Sequence, residues 1–328
     1  MEGGLGRIAA IGGAALLAAA GANLLLARHA ERRHPARGKF VTVDGVRLRY
    51  LEAGAGEPVL LIHGNGAAAE DFASSGLIQR LAADHRVFAF DRPGSGYSGR
   101  PRRRRWSVDA QARLLGAALK EVGAGEAVIL GHSWGALVAL AIGLNFPQAT
   151  RALVLLSGYY VPERRADIAM MRWAALPVIG ELAAWTVLPW LARIFAPFAL
   201  ARIFAPEPVA ARFCRGFPLG LAMRPSQANT IARDTALMNP GAASLLSRYR
   251  ELTMPVVILA GSGDKIVATA DQSARLHAIL PDSAFRVIAG GGHMIHYTAT
   301  DTVAGAVRGA DAMALSRQER RSRASGRA

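Results

Sequence analysis

The stretch Gly131-His132-Ser133-Trp134-Gly135 decides how this chain is read. An apolar run, Ala127-Val128-Ile129-Leu130, precedes it and has the character of a buried strand. Ala136-Leu137-Val138-Ala139-Leu140-Ala141-Ile142 follows, a buried helix that must end before Pro147. A serine flanked at two residues on each side by glycine, between strand and helix, marks a very tight turn. Bulky residues at 131 and 135 would collide there, and the serine takes up an unfavourable backbone conformation. Such a turn presents the Ser133 hydroxyl at the carboxyl edge of a sheet. The first amides of the following helix are free to stabilise developing negative charge. The pentapeptide alone is equally compatible with a glycine-punctuated turn that carries an incidental serine, so the decision rests on its surroundings.

Working outward, Phe40–Val43 and Val46–Tyr50 flank Asp44-Gly45 and form a hairpin with a two-residue turn. Pro58-Val59-Leu60-Leu61-Ile62 reads as a strand covered on both faces, and it runs into the loop His63-Gly64-Asn65-Gly66. Arg86–Phe90 is a further strand, followed by Asp91-Arg92-Pro93-Gly94-Ser95-Gly96-Tyr97-Ser98, which reads as a turn without chemistry of its own. A helix over 107–122 leads back to the serine strand, and Arg151–Leu156 is the next strand. Beyond residue 234 the pattern resumes. Pro255–Ala260 ends in Gly261-Ser262-Gly263-Asp264, and Phe285–Ile288 ends in Gly290-Gly291-Gly292-His293, with His296 three residues on.

From about residue 40 to residue 310 these motifs resemble the α/β-hydrolase superfamily. The resemblance implies a mostly parallel eight-stranded sheet flanked by helices, with core segments 40–158 and 235–312. It implies a triad in the order Ser133 nucleophile, Asp264 acid and His293 base, an order that differs from those of the chymotrypsin and subtilisin groups. His296 is a competitor for the base, but the residue directly after the glycines is the better match. The resemblance assigns the oxyanion donors to the backbone N–H groups of Asn65 and Trp134. His63 is a substrate-lining candidate whose plain alternative is to hold its loop. Serine at the turn disfavours the superfamily's dehalogenases and epoxide hydrolases, which carry aspartate there. No cofactor and no metal is implied.

Between Tyr159 and Asp234 the strand–helix alternation stops, and Trp173, Trp185, Trp190, Phe195, Phe198 and Phe204 accumulate. Residues 159–234 read as a helical cap over the sheet's carboxyl edge, with Tyr159 and Tyr160 as further lining candidates. An apolar cap points to an apolar or lipid-like substrate, or to contact with a bilayer surface. Pro177, Glu181 and Pro189 argue against a membrane span within it.

The 328 residues carry a formal charge of +15, concentrated in three places. Arg28, Arg32, Arg33, Arg37 and Lys39 stand against Glu31; Arg100 and Arg102–Arg105 stand alone; Arg317, Arg320, Arg321, Arg323 and Arg327 stand against Glu319. The body between them is nearly neutral, and no nucleic-acid module accompanies the clusters, so nucleic acid is not an expected partner. Residues 313–328 read as a disordered basic tail, and Arg102–Arg105 as a solvated run of unassigned role. One cysteine, Cys214, forms no internal disulfide.

Ile8–Ala27 contains twenty residues without a charge, of which only Asn23 is clearly polar. At 1.5 Å per residue that length matches roughly 30 Å of hydrocarbon. Residues 1–39 are therefore read as an apolar segment plus basic linker, with membrane contact through 8–27. A membrane anchor is the first reading, a cleaved signal peptide the second, and a helix packed on the body the third. The basic cluster after the segment places the catalytic body on the cytoplasmic side; signal cleavage would make the protein secreted or periplasmic.

The expected function is hydrolysis of an ester with an apolar portion through an acyl-enzyme on Ser133. Carbon–carbon bond hydrolysis and cofactor-free perhydrolysis use the same groups. The rival of another class is a catalytically silent, membrane-associated binding protein. Substrate identity and oligomeric state are not legible at this level.

Overall fold

The computed structural model describes residues 2–325. Eight strands make one sheet: β1 (Lys39–Val43), β2 (Val46–Ala53), β3 (Glu57–Ile62), β4 (His85–Phe90), β5 (Ala127–His132), β6 (Thr150–Leu156), β7 (Val256–Gly261) and β8 (Ala284–Ile288). Their spatial order is β1-β2-β4-β3-β5-β6-β7-β8. The pairs β1–β2 and β2–β4 are antiparallel, and every pair from β4–β3 onward is parallel. The Asp44-Gly45 turn has positive φ at both residues, 48° and 72°, the geometry that matches the strands' right-handed twist.

Because side chains alternate along a strand, each buried strand serves two cores. Leu60, Ile62, Ile129, Leu153 and Leu155 face one side, with α2 (Val108–Glu121) and α3 (Trp134–Asn145). Val59, Leu61, Val128, Leu130 and Val154 face the other, covered by Leu77, Leu81, Val303 and Val307. This two-sided burial explains why the strands read as continuous apolar runs.

A helical insertion, called the cap below, lies between β6 and β7. Its main helices are α4 (Ala166–Ala174), α5 (Pro177–Trp185), α6 (Leu188–Phe204) and α7 (Pro225–Ala236). Helices α5 and α6 meet at a 66° bend.

Both ends differ from expectation. The first helix, α1 (Glu2–Arg33), runs through the first half of the basic segment 28–39 expected to be a linker. Helix α8 (Thr300–Ser325) continues through residues expected to be disordered, while residues 326–328 lie outside the described residues. That stretch is basic, but it is built of alanine, arginine, glutamine and glutamate, which are strong helix formers.

Glycine has opposite consequences at two helical positions. A Cβ on Gly135 in α3 would lie 2.1 Å from the Ile62 carbonyl oxygen and 2.7 Å from that of His63, whereas one on Gly305 in α8 meets nothing within 4 Å. We expect Gly305→Ala to stabilise the protein by about 0.5–1 kcal/mol through helix propensity. Gly135→Ala should instead destabilise it by several-fold more than that, in the range of about 3 kcal/mol, because β3 and α3 must separate. Urea denaturation of the two variants checks both signs.

Candidate active site

Ser133 sits between β5 and α3 with φ 53° and ψ −119°, an outlier conformation for a residue with a side chain. Its own N–H donates to the Leu156 carbonyl at 2.9 Å, tying the turn to β6. A Cβ on Gly131 would lie 2.3 Å from the Gly135 carbonyl oxygen, so the two glycines make the crossing of strand and helix possible.

Asp264 and His293, on the loops after β7 and β8, come together with Asp264 Oδ2 2.8 Å from His293 Nδ1. The other oxygen, Oδ1, accepts from the N–H groups of Ile266 and Val267 at 2.8 and 2.9 Å. These donors fix the plane of the carboxyl group. His293 is 4% exposed. Ser133, His293, Asn65 and Gly64 line one cavity of ≈ 410 Å³. Its upper wall is apolar, formed by Phe195, Ala196, Leu200, Ile203, Phe213 and Met238. His296 does not join the serine: its Nε2 lies 3.0 Å from Asp71 Oδ2. Trp134 opens α3, so its N–H is among that helix's unpaired first-turn donors. The Asn65 side chain donates to Thr235 Oγ1 at 2.8 Å and to the Ile231 carbonyl at 3.2 Å, which pins its loop to α7.

Three lining candidates fall elsewhere. His63 is fully buried below the loop and outside the cavity wall. Its Nε2 accepts from the Arg92 N–H at 3.0 Å, so its Nδ1–H donates to the Gly64 carbonyl at 2.7 Å. Burial and the nearby Arg92 charge hold this imidazole well below its ordinary pKa, in the neutral form. Tyr159 and Tyr160 are also fully buried and belong to the sheet's core. The Tyr159 hydroxyl donates to Asn239 Oδ1 at 2.6 Å. The chain after β6 turns into the core before it rises into the cap, which takes both rings away from the site.

The residue that the sequence reading passed over is Arg92. Its guanidinium is fully buried. It donates to the carbonyls of His63 (3.0 Å) and Gly64 (3.1 Å), to Gln111 Oε1 (2.9 Å) and to Asp234 Oδ2 (2.6 Å). It therefore holds the loop bearing Asn65, helix α2 and cap helix α7 to one another. The available signal was a charged residue two positions beyond a strand buried on both faces. Asp71, His132 and His296 are also buried together, with ligand atoms within 4.8 Å of one another. They are the one grouping among the described residues that could converge on a cation.

Two outcomes follow from these contacts. Arg92→Met should cost about 2–4 kcal/mol in urea denaturation, since it removes one of the two guanidinium partners of the buried Asp234 and a donor from each of two buried carbonyls. His63 and His132 are both held neutral by burial, their folded pKa lying well below 6.5. The unfolded chain takes up protons near pH 6.5 that the folded chain refuses. The stability these groups contribute is thus present above pH 6.5 and lost as pH falls toward their native pKa, by up to about 1.4 kcal/mol per pH unit for each. Denaturation series between pH 7.5 and 5 should show a shallower fall in His63→Asn than in the parent.

Residues 57–300 match the family model described as the alpha/beta hydrolase fold. A 2-hydroxy-6-oxo-6-(2'-aminophenyl)hexa-2,4-dienoic acid hydrolase of Metapseudomonas resinovorans is 38% identical over 120 residues, covering 36% of this chain and 41% of that relative. The match thus spans less than half of that protein. Among solved structures, a membrane phospholipase A described as a bacterial virulence factor aligns with TM-score 0.63 and 20% identity, covering 93% of this chain and 97% of its own. An esterase of Thermogutta terrifontis aligns with TM-score 0.65 and 22% identity over 83% of this chain and 97% of its own. Both structural likenesses speak to the fold. With its sheet order, its serine turn and a family match over most of its length, this chain belongs to the α/β-hydrolase family.

Proposed function

We propose that the protein is a serine hydrolase that cleaves an ester with an apolar portion. The observation that carries the reading is the 2.8 Å Asp264–His293 contact at the base of a cavity that Ser133 also lines, beneath an apolar wall. In this reading His293 takes the proton of the Ser133 hydroxyl as the oxygen attacks the acyl carbon. Asp264 holds the imidazole with Nδ1–H toward itself and stabilises the imidazolium. The N–H groups of Asn65 and Trp134 receive the oxyanion. His293 returns its proton to the leaving alcohol, and water activated by the same imidazole then releases the acid. A second reading, carbon–carbon bond hydrolysis on the same groups, is favoured by the partial likeness to the dienoic acid hydrolase. Comparing turnover of nitrophenyl esters with that of a vinylogous 1,5-diketone acid separates the two.

We also read α1 as a membrane anchor with the body on the cytoplasmic side. The most apolar 18-residue window of Ala10–Arg33 has a mean hydropathy of 1.8 and is 11% buried, and Arg28, Arg32 and Arg33 follow the apolar stretch.

Ser133→Ala should lower ester turnover by at least about four orders of magnitude, and Asp264→Asn by about the same factor. A fluorophosphonate should label the parent protein at Ser133. Retained turnover in Ser133→Ala, or no labelling of the parent, would show a different chemistry or a silent binding protein.

A further inference from the structure

We infer that the cap itself is sunk into the lipid bilayer to the depth of its own helices α5 and α6, so that the cavity wall formed by α6 is also a lipid-facing wall. The inference rests on reading α1 as the membrane anchor, and adds where that anchor holds the catalytic body.

Asn23 is the one clearly polar residue of the apolar stretch 8–27, and it is fully buried against the cap. Its Nδ2 donates to the carbonyls of Trp185 (3.0 Å) and Thr186 (2.9 Å), at the bend between α5 and α6. Its Oδ1 accepts from Arg193 at 3.3 Å. Ala27 and Ala30 continue the same face of α1 and are buried, and Glu31 pairs with Arg224 at 2.7 Å. The second half of α1 is therefore fastened to the cap, whereas Ile11 and Leu17 in its first half are 71% and 76% exposed.

Length then fixes depth. Glu2 and Arg7 precede the uncharged stretch and Arg28 follows it, so only residues 8–27 can fill the hydrocarbon. The fastening point lies inside that stretch, four residues from its end. At 1.5 Å per residue, Asn23 sits about 6 Å below the level of Ala27. Whatever is bonded to Asn23 shares that depth, which is the depth at which interfacial helices bury their apolar faces, roughly 5–10 Å.

The cap's surface fits that position. Val178, Ile179 and Leu182 of α5 are 81%, 61% and 53% exposed, and Ile194 and Phe198 of α6 are 62% and 74% exposed. Glu181, the one charged residue of α5, lies at the edge of this face one turn from Val178, where Arg102 neutralises it at 2.5 Å. Trp185 and Trp190 flank the bend, with Arg193 over the Trp190 ring at 5.4 Å, an arrangement suited to the headgroup boundary. The opposite face of α6 supplies Ala196, Leu200 and Ile203 to the cavity. One helix thus separates acyl chains of the bilayer from the cavity of Ser133, and the substrate class that fits is an ester already dissolved in the bilayer.

The test uses the full chain in phosphatidylcholine–phosphatidylglycerol proteoliposomes. In a Cys214→Ser background, single cysteines at Val178, at Phe198 and, as control, at Asp282 before β8 are labelled with an environment-sensitive fluorophore. We expect nitroxides on the acyl chains to quench the labels at 178 and 198, and aqueous iodide to quench only the label at 282. Val178→Glu combined with Phe198→Glu should reduce hydrolysis of a vesicle-borne long-chain ester by at least about tenfold while leaving a short soluble ester unaffected. Iodide access at 178 and 198 in protein that resists carbonate extraction would overturn the inference and leave the anchor standing. Release by carbonate would overturn both. Neither readout depends on the chemistry assigned to Ser133.

Discussion

The buried guanidinium of Arg92 is the contact on which the rest of the site depends. Removing an arginine from water is costly unless its donors are met. Here they are met by two carbonyls of the loop after β3, by Gln111 of α2 and by Asp234 of α7. Because those partners come from three separate elements, no one of them can move without exposing a buried charge. Asp234 is shared with Arg100 at 2.9 Å, so two arginines of the loop after β4 grip the same carboxylate. The cap is therefore joined to the sheet by ionic contacts near the cavity floor as well as by apolar packing.

The serine turn works by local constraint. Positive φ at Ser133 and the near-contact of Gly131 and Gly135 with neighbouring backbone leave the chain one way to pass from β5 to α3. The Asp264–His293 pair is placed by parallel strands instead. Crossover helices return each strand in the same direction, so the loops after β5, β7 and β8 emerge on one edge. Strained turn and shared edge together bring Ser133 and His293 to one cavity, with Asp264 bonded to the far nitrogen of His293.

Much of this was legible in the linear chain, and the failures have common causes. Buried strands announce themselves because both faces are covered, and the serine turn does so because only glycine fits at Gly131 and Gly135. His63, Tyr159 and Tyr160 were misplaced because a residue at a strand's carboxyl end can point up into the cavity or down into the core. A single bond vector decides between them. The basic tail was misread as disordered because charge was weighed above helix propensity, and arginine, alanine and glutamate favour helix irrespective of net charge. Arg92 was passed over because its partner Asp234 lies 142 residues away.

The sequence by itself determined the α/β class and the turn around Ser133, since these follow from burial periodicity and steric limits acting over a few residues, whereas Asp264 and His293 were singled out by resemblance to a family. Only the tertiary structure decided that Arg92 clamps the loop after β3 to the cap, that Asn23 of the first helix is bonded to the bend between α5 and α6, and that α6 has one face to the cavity and another outward. Those facts depend on where distant segments meet in space. The direction of a side chain across such a meeting is set by packing, which no local pattern encodes.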